Sequence, residues 1–108
     1  MSPRVRDNIH FFNLLLTSHP AQRRALLTTA SNQQLDFLSE LFHNILFTLS
    51  LTSKQKSSLQ RKKFVRELAN IKRSYSYRRQ RAKRHAARLL KILDDFMPQL
   101  RQVLDSQL

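Results

Sequence analysis

The sequence predicts an all-α protein, a small bundle of about five helices, with a C-terminal basic helix long enough to protrude. Three observations carry that expectation. None of the 108 residues is glycine, so turns that need positive φ are hard to build and tight primed hairpins harder still. Apolar residues recur at steps of three and four along most of the chain, the period of an amphipathic helix. The junctions between these stretches carry helix-start or helix-stop residues, chiefly Ser, Thr and Pro.

Taken in order, Ser2 and Pro3 have the form of an N-cap with proline at the first helical position, opening a helix whose stripe is Val5, Ile9, Phe12 and Leu16. Ser18, His19 and Pro20 stop it, and a short second helix follows over AQRRALLTT. Ser31 and Gln34 have capping-box spacing ahead of a third helix. Leu35, Leu38, Leu41, Phe42, Ile45, Leu46 and Leu49 fall on one broad face of that helix. Phe37 and Phe47 lie off this face, which implies burial on a second side or a face offered to a partner. Thr52 and Gln55 repeat the capping-box spacing and open a fourth helix over roughly 53–72, with Phe64, Leu68, Ile71 and Tyr75 on one side and Lys62, Lys63 and Arg66 on the other. A break is expected near Ser74–Tyr77. A fifth helix over about 78–97 sets Ala82, Ala86, Leu89, Leu90, Leu93, Phe96 and Met97 against Arg81, Arg84, Arg88 and Lys91. Pro98 ends or kinks it, and one or two further turns can follow.

At this length the chain is one domain with one modest core. Its organisation shows in the charge. Lys and Arg number 20 against 7 Asp and Glu, and the excess is local. Residues 1–53 carry four basic and three acidic side chains, residues 54–91 fifteen and one, and residues 92–108 one and three. The three parts read as an apolar helical core, a basic helical region and a C-terminal helix. A +14 block within 38 residues repels itself unless an anion lies nearby, and nucleic acid is the commonest partner of that kind.

Enzyme chemistry finds no foothold. There is no cysteine, hence no disulfide, thiolate metal site or cysteine nucleophile. His10, His19, His43 and His85 are scattered, and the carboxylates form no close pair except Asp94 and Asp95, which point to different sides of a helix. Without glycine there is no phosphate-binding glycine loop. We therefore expect no catalytic activity, no cofactor and no metal. The apolar run near the N-terminus is too short to span a membrane.

The candidate nucleic-acid contacts are Lys62, Lys63, Arg66, Arg73, Tyr77, Arg78, Arg79, Arg81, Lys83, Arg84, Arg88 and Lys91. On a straight helix Arg81, Arg84, Arg88 and Lys91 form a row about 15 Å long, suited to neutralising phosphates along a strand. Tyr77 is placed to stack on a base or lie against sugar, whereas Tyr75 continues an apolar stripe. A helix this rich in Arg and Lys suits backbone contact better than base reading, so affinity with little sequence preference is expected, for DNA rather than RNA. RRQRAKRH, with QRKK upstream, also has the form of a nuclear-localisation signal, and Arg78 and Arg79 could serve that role or act as a flexible anchor.

HPAQRRALLTTASNQQLDFLSELFHNIL and LTSKQKSSLQRKKFVRELAN resemble a small basic protein family of Maverick/Polinton-type elements and adintoviruses. The resemblance covers roughly residues 12–70 and rests on Arg23 to Leu27, on Leu41 and Asn44, and on Leu51, Gln55, Lys56, Leu59, Lys63, Arg66 and Leu68. That family continues into an apolar tail with a Gly-Gly pair, where this chain has a basic amphipathic helix. The resemblance implies a virion or DNA-packaging component, located in the virion or the host nucleus. Other readings compete with it. The Leu/Phe face of residues 35–49 could pair with a second copy or a coat protein while the basic block docks an acidic patch, the basic amphipathic helix could lie on an anionic membrane, and helices two and three could form a helix-turn-helix.

Overall fold

In a computed structural model the described residues are 8–47, 49 and 51–107. They form eight helices and no strand: α1 Ile9–Thr17, α2 Pro20–Thr28, α3 Asn32–Phe47, α4 Ser53–Gln60, α5 Lys63–Ala69, α6 Tyr75–Arg84, α7 Ala86–Asp95 and α8 Met97–Gln107. The all-α expectation holds, with more and shorter helices than the stripes implied. The Ser2 cap, Pro3 and Val5 lie outside the described residues. No described residue has positive φ, in keeping with a chain that has no glycine.

Local chemistry sets the starts. Pro20 occupies the first position of α2, and His19 Nδ1 accepts a hydrogen bond from the Ala21 N–H. Ser31 Oγ accepts from the Gln34 N–H at 3.1 Å while Gln34 Oε1 accepts from the Ser31 N–H at 2.9 Å. Thr52 and Gln55 make the same reciprocal pair ahead of α4, and Ser74 Oγ caps α6 through the Tyr77 N–H. Ser31→Ala leaves the first turn of the central helix with an unmet donor, and thermal unfolding is expected to show a loss of about 1 kcal/mol.

The core is built around α3, which packs on α4, α5 and α6. Its whole predicted stripe is buried, Leu49 included. Phe37, off that stripe, is buried as well: its ring meets Phe11 and Phe12 edge to face, both at 6.1 Å, so α1 covers a second side of α3. Phe47 differs, being 59% exposed. The Leu/Phe face proposed for a second copy is thus consumed by this chain's own core, Phe47 excepted.

The expected fourth helix is two helices. α4 buries Leu59 alone, whereas α5 buries Phe64, Val65, Leu68 and Ala69. On one straight helix Leu59 and Leu68 stand about two and a half turns apart and face opposite ways. The extended residue Lys62 (φ −81°, ψ 98°) breaks the helix and lets both reach the core. α5 then ends at Ala69, and the next break lies at 70–74, earlier than expected. Asn70 makes this turn, its Oδ1 accepting from the Lys72 N–H and its carbonyl from the Arg73 N–H. Ile71 and Tyr75 consequently leave the stripe assigned to them and are 48% and 38% exposed.

The long basic helix is likewise divided, at His85 (φ −117°, ψ 22°). It does not protrude: the radius of gyration is 12.8 Å, near the value of about 13 Å for a compact chain of this length. The apolar side is largely as expected, with Ala82, Ala86, Leu89, Leu90, Leu93 and Phe96 buried and α7 seated on α2, while Met97 is only half-buried and opens α8. Pro98 stands in the first turn of α8, where its missing N–H costs nothing, so it starts a helix here.

Candidate nucleic-acid interface

The packing of α7 on α2 and of α4 on α3 and α5 brings cations from separate parts of the sequence onto one surface. Between α4 and α7 runs an open groove of about 770 Å³, with Lys54, Lys62, Arg88 and Lys91 on its walls and Leu59, Ile92 and Phe96 beneath. It shares Arg88 with a second hollow of about 670 Å³ lined by Arg24, Lys83, Arg84 and His85. On the outer side of α4 it shares Lys54 and Lys62 with a third, which adds Arg61. Arg24, Lys54, Arg61, Lys83, Arg84, Arg88 and Lys91 are all exposed. No side chain caps α7, and its first residues, Ala86 and Ala87, line the second hollow.

Two carboxylates that could offset the charge are held in ion pairs with arginines, the surface Asp94 by Arg23 and the part-buried Asp36 by Arg78. Asp94 takes Arg23 of α2 in a two-pronged contact, at 2.6 and 3.1 Å. Arg23 Nε also donates to the Leu15 carbonyl, which ties α1, α2 and α7 together. Asp95 lines the groove, and Asp94 and Asp95 together line a further hollow beside Arg24 and Lys91, so the two neighbours are less separated than their spacing implied.

Asp36 takes Arg78, and this corrects one candidate contact. Arg78 is 2% exposed. Its guanidinium donates to Asp36 Oδ1 at 2.9 Å, Ser39 Oγ at 2.7 Å and the Arg73 carbonyl at 3.1 Å, and it lies 4.8 Å from the Tyr75 ring centroid. Tyr75 OH donates to the other Asp36 oxygen at 2.8 Å. Every nitrogen of this guanidinium is engaged inside the fold, so it cannot meet a phosphate, serve as a localisation signal or act as a flexible anchor. Arg79 is also structural: its Nη2 donates to Asn32 Oδ1 at 2.7 Å and lies 3.4 Å from the Ala30 carbonyl, fastening α6 to the start of α3.

The remaining candidates divide. Arg84, the last residue of α6, and Arg88 and Lys91 of α7 remain exposed on either side of the His85 bend. Arg81 is half-buried and sits over the Tyr77 ring at 5.0 Å, with Arg73 over the same ring at 4.9 Å. Two guanidiniums on one ring leave Tyr77 poorly placed to stack on a base, and its role becomes holding Arg73 and Arg81 in place. Lys62 Nζ is 3.3 Å from Ser58 Oγ. Lys63 is exposed at the start of α5, while Arg66 lines a separate apolar hollow with His43, Phe47, Ile71 and Lys72. Arg24 and Lys54 were not anticipated. Lys54 belongs to the basic block, but Arg24 comes from the near-neutral half, and only the seating of α2 on α7 delivers it.

His85 sits at the bend, stacked on Phe64 at 4.3 Å, with the Arg88 guanidinium 6.0 Å from the same ring centroid. Burial first, then the charges of Arg88, Arg84 and Arg81, push its pKa below 6.5, against a smaller opposing pull from Glu67. The folded state therefore binds this proton more weakly than the unfolded chain. The resulting stability is present above pH 6.5 and is lost as pH falls from there through the lower folded value. A polyanion on Arg84 and Arg88 relieves the repulsion and raises the pKa. An NMR titration is expected to place the free His85 midpoint below 6.5 and to move it upward on DNA binding; a free midpoint at or above 6.5 contradicts this geometry.

Among the described residues no group of histidines and carboxylates could hold a metal ion, and no helix is long and apolar enough to cross a membrane. What the fold and surface define is a helical bundle with a connected cationic face. No protein-family model, curated protein or solved structure matches the chain.

Proposed function

We propose that this protein binds nucleic acid, double-stranded DNA in the first place, by neutralising phosphates without reading sequence, and that it has no catalytic activity. The observation that carries this reading is the joining of Arg24, Lys54, Lys83, Arg84, Arg88 and Lys91 into one exposed surface, while Asp36 and Asp94 are engaged by Arg78 and Arg23. Resemblance to the small basic proteins of Maverick/Polinton-type elements and adintoviruses points to genome packaging or a core role, in the virion or host nucleus. The exposed Phe47 and Ile71 support a homo-oligomer as an accompanying feature, with Phe47 retained from the 35–49 face.

A salt series decides the main point. Contacts to six to ten phosphates give a log–log slope of about −0.9 per phosphate, and affinity for duplex DNA should fall about 10³–10⁵-fold between 50 and 200 mM salt. Mobility shifts with duplex, single-stranded DNA and RNA rank the substrates. A flat salt response, or strong preference for one duplex sequence, overturns the reading.

A further inference from the structure

We infer that Ser58 is a phosphorylation site, and that a phosphate there closes the groove between α4 and α7 to DNA. The modification goes beyond nucleic-acid binding, whereas its consequence rests on that reading. Ser58 is exposed in the last turn of α4, and it lines both the groove and the hollow on the outer side of that helix. Lys62, set just beyond the helix at the break, reaches back to it: its Nζ is 3.3 Å from Ser58 Oγ and 3.5 Å from the Ser58 carbonyl. Lys54 stands one turn before Ser58, the spacing of facing side chains on a helix. Arg88 and Lys91 line the groove from α7, beside the carboxylate of Asp95. A phosphate ester formed among these cations finds partners without a change of fold.

Access singles out the same residue. A kinase must draw its acceptor segment out of the fold, and it reads the charges around the hydroxyl. α4 is only eight residues long and holds the core through Leu59 alone, so it is far short of an independent helix and opens at low cost. Lys54 and Lys56 precede Ser58, and Arg61, Lys62 and Lys63 follow it, a basic pattern on both sides. Ser57 shares the segment but lines the outer hollow, away from Arg88 and Lys91. Ser76 has Arg73 three residues before it, yet that guanidinium lies over the Tyr77 ring, and Arg78 and Arg79 fasten α6 to α3. In the transfer, the Ser58 oxygen bonds to the γ-phosphorus of ATP and the bond from that phosphorus to the β–γ bridging oxygen breaks. ADP leaves with that electron pair, and the hydroxyl proton passes to the kinase's catalytic aspartate. The new phosphate carries a charge of about −1.5 to −2 at pH 7. Lys54 and Lys62 engage it and offset its repulsion from the negative end of α4. Both lysines are then lost to DNA.

The test uses the full chain, ATP and a panel of serine kinases that prefer basic substrates, with fragment mass spectrometry to place the phosphate. Ser58 is expected to be modified first, and Ser58→Ala to lose most of the incorporation. In the modified chain the second ionisation of the phosphate, followed by phosphorus NMR, should fall below its ordinary value of about 6. Lys62→Gln should return it toward that value. Affinity for duplex DNA should drop about 10- to 100-fold at about 0.1 M salt, with about 1.8 taken from the log–log slope for the two lysines. The inference is overturned if no kinase of the panel modifies Ser58, or if Ser57 or Ser76 is modified in preference. It is overturned equally if the phosphate titrates at about 6 with and without Lys62, or if steeply salt-dependent DNA binding survives phosphorylation unchanged. Should the unmodified chain not bind DNA, the nucleic-acid reading fails, while the mass and phosphorus measurements still decide the site.

Discussion

Replacing Arg78 with alanine is expected to destabilise the fold by about 3–5 kcal/mol, a large part of the roughly 5–15 kcal/mol that holds a domain of this size together. The guanidinium bridges α6 to Asp36 and Ser39 of α3 and to the turn at Arg73. Its removal strips partners from a site with little access to water. The two halves of the pair should not cost the same. Asp36 keeps the Tyr75 hydroxyl and 17% of its side chain in solvent, so Arg78→Met leaves a carboxylate that is partly satisfied and belongs at the low end. Asp36→Leu leaves a buried cation with only Ser39 and a carbonyl, and belongs at the high end. Changing Arg78, Asp36 and Ser39 together to Met, Leu and Ala should recover most of the loss, since apolar replacement of a whole buried pair is often neutral. Urea titration followed by circular dichroism measures each step. A cost below about 1 kcal/mol for Arg78→Ala would show that the cluster is not holding α6 to α3.

The same cluster separates structure from binding. Where Arg78→Met remains folded it should bind duplex DNA with an unchanged salt slope, because no nitrogen of that guanidinium faces a ligand. A slope reduced by about 0.9 would return Arg78 to the interface.

Local and non-local features of the sequence differed in how legibly they were written. Capping pairs lie three residues apart, so Ser31 with Gln34 and Thr52 with Gln55 were readable directly, and both form as spaced. The α3 and α7 stripes were readable because burial there follows one helical period. Helix breaks were harder. Lys62 and His85 are not residues that forbid a helix; Lys62 bends because Leu59 must face the core with Leu68, which depends on the neighbours they pack against, whereas Ala82 and Leu93 share a face even on a straight helix, so the residue spacing gives no reason for the bend at His85. Arg78 carried a signal that its charge obscured. It stands four residues before Ala82 and eight before Ala86, on the same stripe as Leu89 and Leu93, so helical spacing places it inward. Burial of an arginine there also needs an acidic side chain opposite, and Asp36 lies 42 residues away. Arg24 carried no such signal, since a lone basic residue in a near-neutral segment joins the cationic surface only through the seating of α2 on α7.

Charge on that surface should govern binding more than any single contact. Changing Arg84, Arg88 and Lys91 to Gln removes three exposed cations, one at the end of α6 and two on α7, and leaves Ala86, Leu89, Leu90 and Leu93 in place, so folding should be little affected. In a counterion-release description each lost phosphate contact takes about 0.9 from the log–log slope, hence about 2.7 for the three, and at 0.1 M salt affinity should fall about 10²–10³-fold. The loss should be equal for A·T-rich and G·C-rich duplexes, because backbone contacts position a protein without carrying sequence information. Arg66→Gln with Lys72→Gln is the matching control. Those two cations line the separate hollow beside Phe47 and Ile71, so this variant lowers the net charge while sparing Arg84, Arg88 and Lys91. If DNA responds only to net charge, two cations lost at Arg66 and Lys72 will reduce the slope as much, per residue, as three lost at Arg84, Arg88 and Lys91. If it sits on those three residues and their neighbours, the control will bind almost as the native chain does, and fluorescence anisotropy across the salt series separates the two outcomes.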